Sequence, residues 1–294
     1  MDQTDIRSLL FVPGDNERRI GKAIDSQADA VIVDLEDSVV PDNKARARIA
    51  TGEILRHHKV DGKPLVVRLN AFESGLTALD VAAVMAGQPW AVMLPKCRGN
   101  TDLARLADFL EVMEVREGIT PGTTRIITVA TETAAATLTL SQSIPSMTPR
   151  LWGLLWGGED LAASLGAQRN RDEAGNYTFP YQFARSQCLF AANALGVQAI
   201  DAVYTAMNDP RGLEQEVEAA LRDGFVAKAA IHPSQVEIIN RVLMATSAQV
   251  DWSSRVLELL KDSAVARLDG GFVDLAHKRI AERLLLRAKR HGTR

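Results

Sequence analysis

Short apolar or β-branched runs recur along the chain at Ser8–Val12, Ala30–Leu35, Pro64–Leu69, Trp90–Pro95, Arg125–Ala130, Leu151–Trp156, Val197–Val203 and Val226–Ile231. Each is followed by a longer stretch with apolar positions at helical spacing: Glu17–Ser26, Asp42–His57, Gly75–Ala86, Thr101–Glu117, Thr133–Ser143, Tyr181–Leu195, Gly212–Asp223 and Ser234–Thr246. The first kind of segment predicts strands and the second amphipathic helices. Asp42, Thr101-Asp102 and Ser234 stand where helix N-termini want an oxygen acceptor. Strands alternating with helices pair in parallel, because a parallel crossover needs a connection of this length. Eight such units fit a closed (β/α)8 TIM barrel better than an open doubly wound sheet, and no G-x-G-x-x-G follows the first run.

The eight units occupy residues 1–245, the expected catalytic barrel domain. Residues 246–294 exceed what a barrel needs: Asp251–Val265, a turn at Asp269-Gly270-Gly271, and an amphipathic helix over about Asp274–Arg290. This tail is expected to form a helical extension packed on a neighbouring subunit. Gly166–Pro180 reads as an exposed loop of the kind that serves as a lid.

Composition narrows the function classes. The 294 residues are 46% hydrophobic and 24% charged, which is ordinary for a globular α/β chain. A net charge of −3 leaves neither a basic field for nucleic acid nor a polybasic membrane patch. The N-terminus is acidic before it is apolar, and Leu9–Pro13 is too short for a signal peptide. No stretch approaches a membrane span. Cys97 and Cys188 sit far apart, and with five scattered histidines they make neither a disulfide framework nor a zinc site. A cytoplasmic protein with reduced thiols is expected.

In such a barrel the active site lies at the carboxyl ends of the strands, so the polar residues after each run matter most. The second run ends in Asp34, Glu36 and Asp37; the third in Arg68 and Asn70; the fourth in Lys96; the fifth in Glu132; the sixth in Glu159 and Asp160. Acids, an arginine and a lysine therefore converge on one rim. Glu132 and Asp160 come from successive strands and are candidate metal ligands; two hard oxygens with several positions left for water and substrate suit Mg2+. The competing assignment is a helix cap for Glu132 and an ion pair for Asp160. Arg68 follows a buried strand and is placed to bind a carboxylate or enolate oxygen bidentately. An ion pair with Asp34 or Glu36 is its structural alternative, and Glu36 is positioned to orient it. Lys96 among carboxylates keeps its charge, which favours an electrostatic role over a Schiff-base nucleophile. Gly157-Gly158 lets a backbone or ligand approach closely. His232 reads as a hydrogen-bonded rim residue, and Trp152 and Trp156, four apart on one strand, as packing residues facing the same side. His57-His58 closes a helix, where its dipole favours them.

Several strings together resemble the citrate lyase β-subunit-like group of the HpcH/HpaI aldolase family. They are Arg7-Ser8-Leu9-Leu10-Phe11-Val12-Pro13-Gly14, Asp34-Leu35-Glu36-Asp37-Ser38-Val39, Val67-Arg68-Leu69-Asn70, Leu94-Pro95-Lys96, Thr131-Glu132-Thr133, Gly158-Glu159-Asp160-Leu161, Gly224-Phe225-Val226-Ala227-Lys228 and Ile231-His232-Pro233-Ser234-Gln235. They run in order from about residue 7 to 290. The resemblance implies a (β/α)8 barrel assembled as a homotrimer or hexamer, Mg2+ on Glu132 and Asp160, and substrate contacts from Arg68, Asn70, Asp34, Lys96 and Gly158. Gly270-Gly271-Phe272-Val273-Asp274 is similar to a family segment whose aspartate reaches a neighbouring subunit's site, which makes Asp274 the candidate for acid/base work beside Arg68 and Glu36. Ala227 replaces a glycine frequent in the family, which puts any contact made by that glycine in question.

What the resemblance implies chemically is a magnesium-dependent carbon–carbon lyase. It would cleave a β-hydroxyacyl thioester (citramalyl-, malyl- or citryl-coenzyme A) to acetyl-coenzyme A and a 2-keto acid. The alternatives are a citrate lyase subunit acting only on citryl-acyl carrier protein, a malyl-coenzyme A thioesterase or condensing enzyme, and a metal-dependent aldolase on free keto acids.

Overall fold

The structure, a computed structural model, describes residues 6–58, 62–143 and 148–294. The acidic opening residues 1–5 lie outside them. Eight parallel strands close on themselves in sequence order, with β8 hydrogen-bonded back to β1. They are β1 (Ser8–Pro13), β2 (Ala30–Asp34), β3 (Leu65–Arg68), β4 (Ala91–Leu94), β5 (Arg125–Val129), β6 (Leu151–Leu155), β7 (Gln198–Asp201) and β8 (Ala227–Ala230). Each falls inside one of the eight apolar runs or overruns it by a single residue, as Pro13 does in β1.

The connecting helices are α1 (Glu17–Ile24), α2 (Lys44–His57), α3 (Thr77–Val84), α4 (Asn100–Glu117), α5 (Ala134–Ser143), α6 (Gly158–Leu165), α7 (Phe179–Leu195), α8 (Pro210–Asp223) and α9 (Pro233–Val242). All but α6 match a helical stretch of the sequence. That helix spans only eight residues and opens on Gly157-Gly158, so neither length nor periodicity marks it.

Strand alternation divides the core. Leu9, Ile32, Val66, Met93, Ile127, Val129, Leu155 and Ala229 belong to the cluster inside the barrel. Their neighbours Leu10, Val33, Val67, Val92, Leu154 and Ala230 belong to the layer beneath the helices. Both faces of every strand are covered, which is why the strands read as continuous apolar runs rather than alternating ones.

Alternation fails at one place. Ile126 pairs with Leu151 but Ile127 pairs with Gly153, so Trp152 is the extra residue of a β-bulge. Trp152 consequently joins the barrel interior, edge-on to Trp90 at 4.9 Å, whereas Trp156 lies in the outer layer. The expectation that the two tryptophans face the same side is thus corrected.

The helix starts also differ from expectation. Asp42 lies in a single 3-10 turn before α2, whose own N-cap is Asn43. Gly99 is the N-cap of α4, and Asp102 reaches back from inside the helix to accept the Arg98 N–H at 2.9 Å. At α9 the cap is His232 rather than Ser234; its Nδ1 accepts from the Ser234 backbone.

Beyond the barrel, α10 (Ser247–Leu259), β9 (Val265–Leu268), β10 (Gly271–Asp274) and α11 (Leu275–His291) share a small core of Val256, Leu260, Leu268, Val273 and Ala281. The extension is therefore not purely helical. Asp269 and Gly270, both at positive φ, form the two-residue turn of an antiparallel hairpin. The segment 166–178 is tied down by an Arg171–Tyr177 bridge and an Arg171–Glu216 ion pair of 2.5 Å.

Candidate active site

Inward alternation sets the site. On β2 and β3, Ile32 and Val66 point into the barrel, so Asp34 and Arg68, two residues further on, point into its mouth. Asp34 is opposite Arg68 in the strand register, and the two side chains lock: Nε donates to Oδ1 and Nη2 to Oδ2, both at 2.7 Å. The remaining Asp34 capacity is filled by the backbone N–H groups of Glu36 at 2.8 Å and Ser38 at 3.1 Å. Burial works to raise the Asp34 carboxyl, yet the Arg68 hydrogen bonds and charge hold it below its usual value. Asp34 is thus an orienting group, with its acceptors already filled.

Arg68 has Nη1 left over, 3.1 Å from Glu36 Oε2 without hydrogen-bond geometry. Its guanidinium lies 5.0 Å from the centroid of the Phe11 ring, which fixes its plane. Glu36 Oε1 accepts from Lys96 Nζ at 2.7 Å. Burial pushes the Glu36 carboxyl up to about 7 against the pull of Arg68 and Lys96, with Asp37 adding to the rise. A carboxyl poised near neutrality beside an arginine is equipped to take and return a proton.

Lys96 adopts positive φ, 49°, uncommon for a side chain with a Cβ. The conformation turns its backbone N–H onto Glu132 Oε2, while Nζ reaches Glu36, Asp37 at 3.2 Å and Asp160 at 3.5 Å. Burial would lower its ammonium, but the hydrogen bond and charge of Glu36, with Asp160 and Asp37, raise it. Lys96 therefore stays cationic, as its carboxylate surroundings predict.

Glu132 is buried, and burial together with the Asp160 charge pushes its carboxyl well above the ordinary range. Its stem packs against Gly157: a Cβ there would come within 2.5 Å of Glu132 Cγ. The glycine that the site requires is thus Gly157, the N-cap of α6; a Cβ on Gly158 would meet the Trp156 ring at 3.1 Å. Asp160 sits in the first turn of α6, and Glu159 accepts from Asn170 at 2.8 Å instead of facing the mouth cluster.

The mouth thus gathers Asp34, Glu36, Asp37, Glu132 and Asp160 around Arg68 and Lys96, five carboxylates against two cations. So acidic a cluster is stable only if some carboxyls hold protons or a further cation joins them. The donor chemistry of Glu132 and Asp160 fits a hard divalent ion: all oxygen, mutually repelling, with the Lys96 ammonium standing in as the local cation. Among the described residues no three His, Cys, Asp or Glu side chains enclose a metal by themselves. Two carboxylates that leave room for water and ligand match the preference of Mg2+.

Two predicted residues lie elsewhere. Asn70 is buried, and its backbone and side-chain N–H groups both donate to Asp80, at 2.7 and 2.8 Å. Asp274 is the N-cap of α11, accepting from Ala276 N and His277 N, and within one chain no contact links it to the mouth residues described here. Side-chain and backbone hydrogen bonds from His277 hold its carboxyl below the usual range.

Sequence reasoning missed the polar cluster outside the barrel, where Lys228 meets Asp201 at 2.7 Å and Glu216 at 2.9 Å. Its signal was a lysine inside the alanine-rich β8, which needs a buried acid beside it.

Comparison with known proteins agrees with the barrel fold. Residues 7–233 match the HpcH/HpaI aldolase/citrate lyase family. A (3S)-malyl-CoA thioesterase of Cereibacter sphaeroides is 31% identical over 96% of this chain and 94% of its own length. A citrate lyase subunit beta-like protein of Mycobacterium tuberculosis is 34% identical over 95% and 94%. The crystal structure of CitE from M. tuberculosis, in complex with magnesium, acetoacetate and coenzyme A, superposes with a TM-score of 0.80 at 31% identity, covering 98% of this chain and 99% of that one. No helix among the described residues is long and apolar enough to cross a membrane. With the closed barrel, the acidic mouth and a match spanning the eight strands, the chain belongs to the HpcH/HpaI aldolase/citrate lyase family.

Proposed function

We propose that this protein is a magnesium-dependent carbon–carbon lyase that cleaves a β-hydroxyacyl-coenzyme A thioester into acetyl-coenzyme A and a 2-keto acid. The observation that carries the reading is the pairing of two unlike halves in one mouth. Glu132 and Asp160 form a hard-oxygen pair, and beside them stands an arginine locked in place by Asp34, its remaining Nη1 held only by charge beside Glu36 and Asp37.

Glu132 and Asp160 would hold Mg2+, which when bound polarises the carboxylate and hydroxyl oxygens of the substrate. Glu36 takes the hydroxyl proton, a role suited to a carboxyl pushed up to about 7. As the carbon–carbon bond breaks, its electron pair passes to the carbon alpha to the thioester and is delocalised onto the carbonyl oxygen, where Arg68 Nη1 stabilises the enolate that forms. Asp34 holds that guanidinium in its plane, and Lys96 offsets the surplus negative charge. Asn70 braces the strand end through Asp80, and the bare Gly157-Gly158 backbone lets the Glu132 stem and the Trp156 ring pack directly against the turn. A proton returned to the enolate carbon completes acetyl-coenzyme A; Asp274 of an adjacent copy in a homotrimer or hexamer would deliver it once docking in that mouth replaces the His277 hydrogen bonds that keep it ionised in the single chain. Residues 246–294 form the unit that carries this aspartate, and 1–245 the catalytic barrel. The cytoplasm, where both thiols stay reduced, is the proposed compartment.

Turnover of purified protein on malyl-, citramalyl- and citryl-coenzyme A, with Mg2+ or EDTA, tests the reading. Magnesium-dependent release of acetyl-coenzyme A and keto acid from one thioester supports it. Free coenzyme A with an intact hydroxy acid would instead favour hydrolysis, the activity in the name of the C. sphaeroides relative. Cleavage seen only with an acyl-carrier-protein thioester would make the chain a complex-dependent subunit.

A further inference from the structure

Outside the barrel wall, beneath α7 and α8, six charged side chains form a neutral network, buried at Lys228 and Asp201 and open to solvent at Asp223. Lys228 is fully buried, with Nζ on Asp201 Oδ2 at 2.7 Å, the Ala202 carbonyl at 2.7 Å and Glu216 Oε1 at 2.9 Å. Glu216 also holds Arg171 at 2.5 Å; Arg185 bridges Asp201 at 3.1 Å and Asp223 at 2.5 Å. Three acids thus meet three bases. None enters the mouth, because Ala227 and Ala229 take the inward positions of β8 and Lys228 the outward one. Buried ion networks contribute little net stability compared with apolar packing of the same volume. What this one touches points to another role.

One neutral group joins it. The Trp156 indole N–H donates to Asp201 Oδ1 at 2.8 Å. Trp156 is fully buried, stacked edge-on by Tyr177 at 4.8 Å, and directly precedes the Gly157–Asp160 turn. That turn has no slack. Gly157 lies against the Glu132 stem, and Gly158 lies over the Trp156 ring, with Tyr177 on its other side. Arg171 covers Tyr177 at 3.7 Å, so the same network braces the ring from above.

We propose that Asp201, held by Lys228 and Arg185, is a positioning residue that fixes the Trp156 indole and through it the spacing of Glu132 and Asp160. This rests on the magnesium reading of those two carboxylates. Mg2+ demands near-ideal octahedral geometry, so a small rotation of the Trp156 ring would alter its affinity while leaving the fold intact.

The test is magnesium affinity by calorimetry, with thermal melting in parallel, for wild type, Trp156→Phe, Asp201→Asn and the double variant. Phenylalanine removes the donor. Asparagine leaves one acceptor oxygen for the Lys228, Arg185 and Trp156 donors, and the two cations outcompete the indole for it. Each single variant is expected to weaken Mg2+ binding roughly tenfold, and the double variant no further, because both break the same link. If Trp156→Phe does not fold, Asp201→Asn alone carries the comparison. Folded variants that bind Mg2+ as tightly as wild type, with only their melting lowered, would overturn the proposal. Wild type that binds no Mg2+ would sink the metal reading beneath it, a result visible before any variant is made.

Discussion

Asp34 and Arg68 face each other across the β2–β3 ladder, and their side chains are joined by two parallel hydrogen bonds of 2.7 Å, Nε to Oδ1 and Nη2 to Oδ2. The arginine therefore reaches the mouth already oriented. Lysine cannot reproduce that fork. Arg68→Lys should lower kcat/KM about 100-fold or more, the cost of losing one placed donor to a developing oxyanion, while the retained positive charge keeps Asp34 paired and the fold intact. Steady-state kinetics beside a circular dichroism melt would show it; near-normal turnover in the lysine variant would remove Arg68 from the enolate role.

Glu132→Gln is nearly isosteric, and its amide oxygen can still accept the Lys96 backbone N–H. The barrel should remain folded. Its affinity for Mg2+ should fall by more than about 100-fold, beyond the range seen for outer-shell changes. Calorimetric titration decides it, and unchanged magnesium binding would return Glu132 to a structural role.

Gly157→Ala inserts a methyl group at 2.5 Å from Glu132 Cγ, a distance no packed pair tolerates. Either the Glu132 stem or the α6 turn must shift, at a cost of about 1–3 kcal/mol. Weaker magnesium binding should accompany that loss. Gly21→Ala is the control: it lies within α1 with nothing near its absent Cβ, and should gain about 0.5–1 kcal/mol from helix propensity. Denaturant titration of the two variants should move in opposite directions.

The eight strands were legible because both of their faces are buried, which leaves apolar runs that turn residues delimit. The rim chemistry was legible for a related reason: once Val66 points inward, Arg68 must as well. Three features were hidden by local exceptions. The bulge at Trp152 reverses the side that simple alternation assigns to it. Asp269-Gly270, flanked by Val265-Ala266-Arg267-Leu268 and Phe272-Val273, carried a hairpin signal, but the helical segments on either side dominated the reading. Lys228 sits on an outward position where most barrel residues are apolar, so only its partners Asp201 and Glu216, 27 and 12 residues away in the chain, explain it. Asp34 ends β2 and Asn70 follows β3, yet their hydrogen bonds run to Arg68 and Asp80, which no spacing rule predicts.

Stability without metal should depend on pH with a definite sign. Burial lifts the Glu36 carboxyl from 4.5 to about 7, and Glu132 is displaced in the same direction. Between those values the folded chain keeps a Glu36 proton that the unfolded chain has released. The associated stability, up to about 3 kcal/mol, is present below pH 4.5 and lost as pH rises through 7. Urea midpoints in EDTA should therefore fall from pH 5 to 8, less steeply in Glu36→Gln, and Mg2+ should restore them at the alkaline end. A midpoint that climbs over this range in EDTA would contradict the burial of both carboxyls.

Asp274 poses the remaining question, because in a single chain it caps α11 and has no contact with the mouth residues described above. A shared site makes an unusual demand on mixtures. Asp274→Asn spoils the tail that a subunit lends and Glu132→Gln spoils the barrel that receives it, so each variant alone should be inactive. Co-expressed in equal amounts in a head-to-tail ring, a site is whole when a barrel from the first meets a tail from the second. Random assembly gives that pairing about one time in four. Recovery of about a quarter of wild-type activity in the mixed assembly, with none in the separately purified variants mixed without exchange, would place Asp274 in its neighbour's site. No recovery, in an assembly shown by mass to contain both chains, would confine the reaction to one subunit and leave Asp274 as a helix cap.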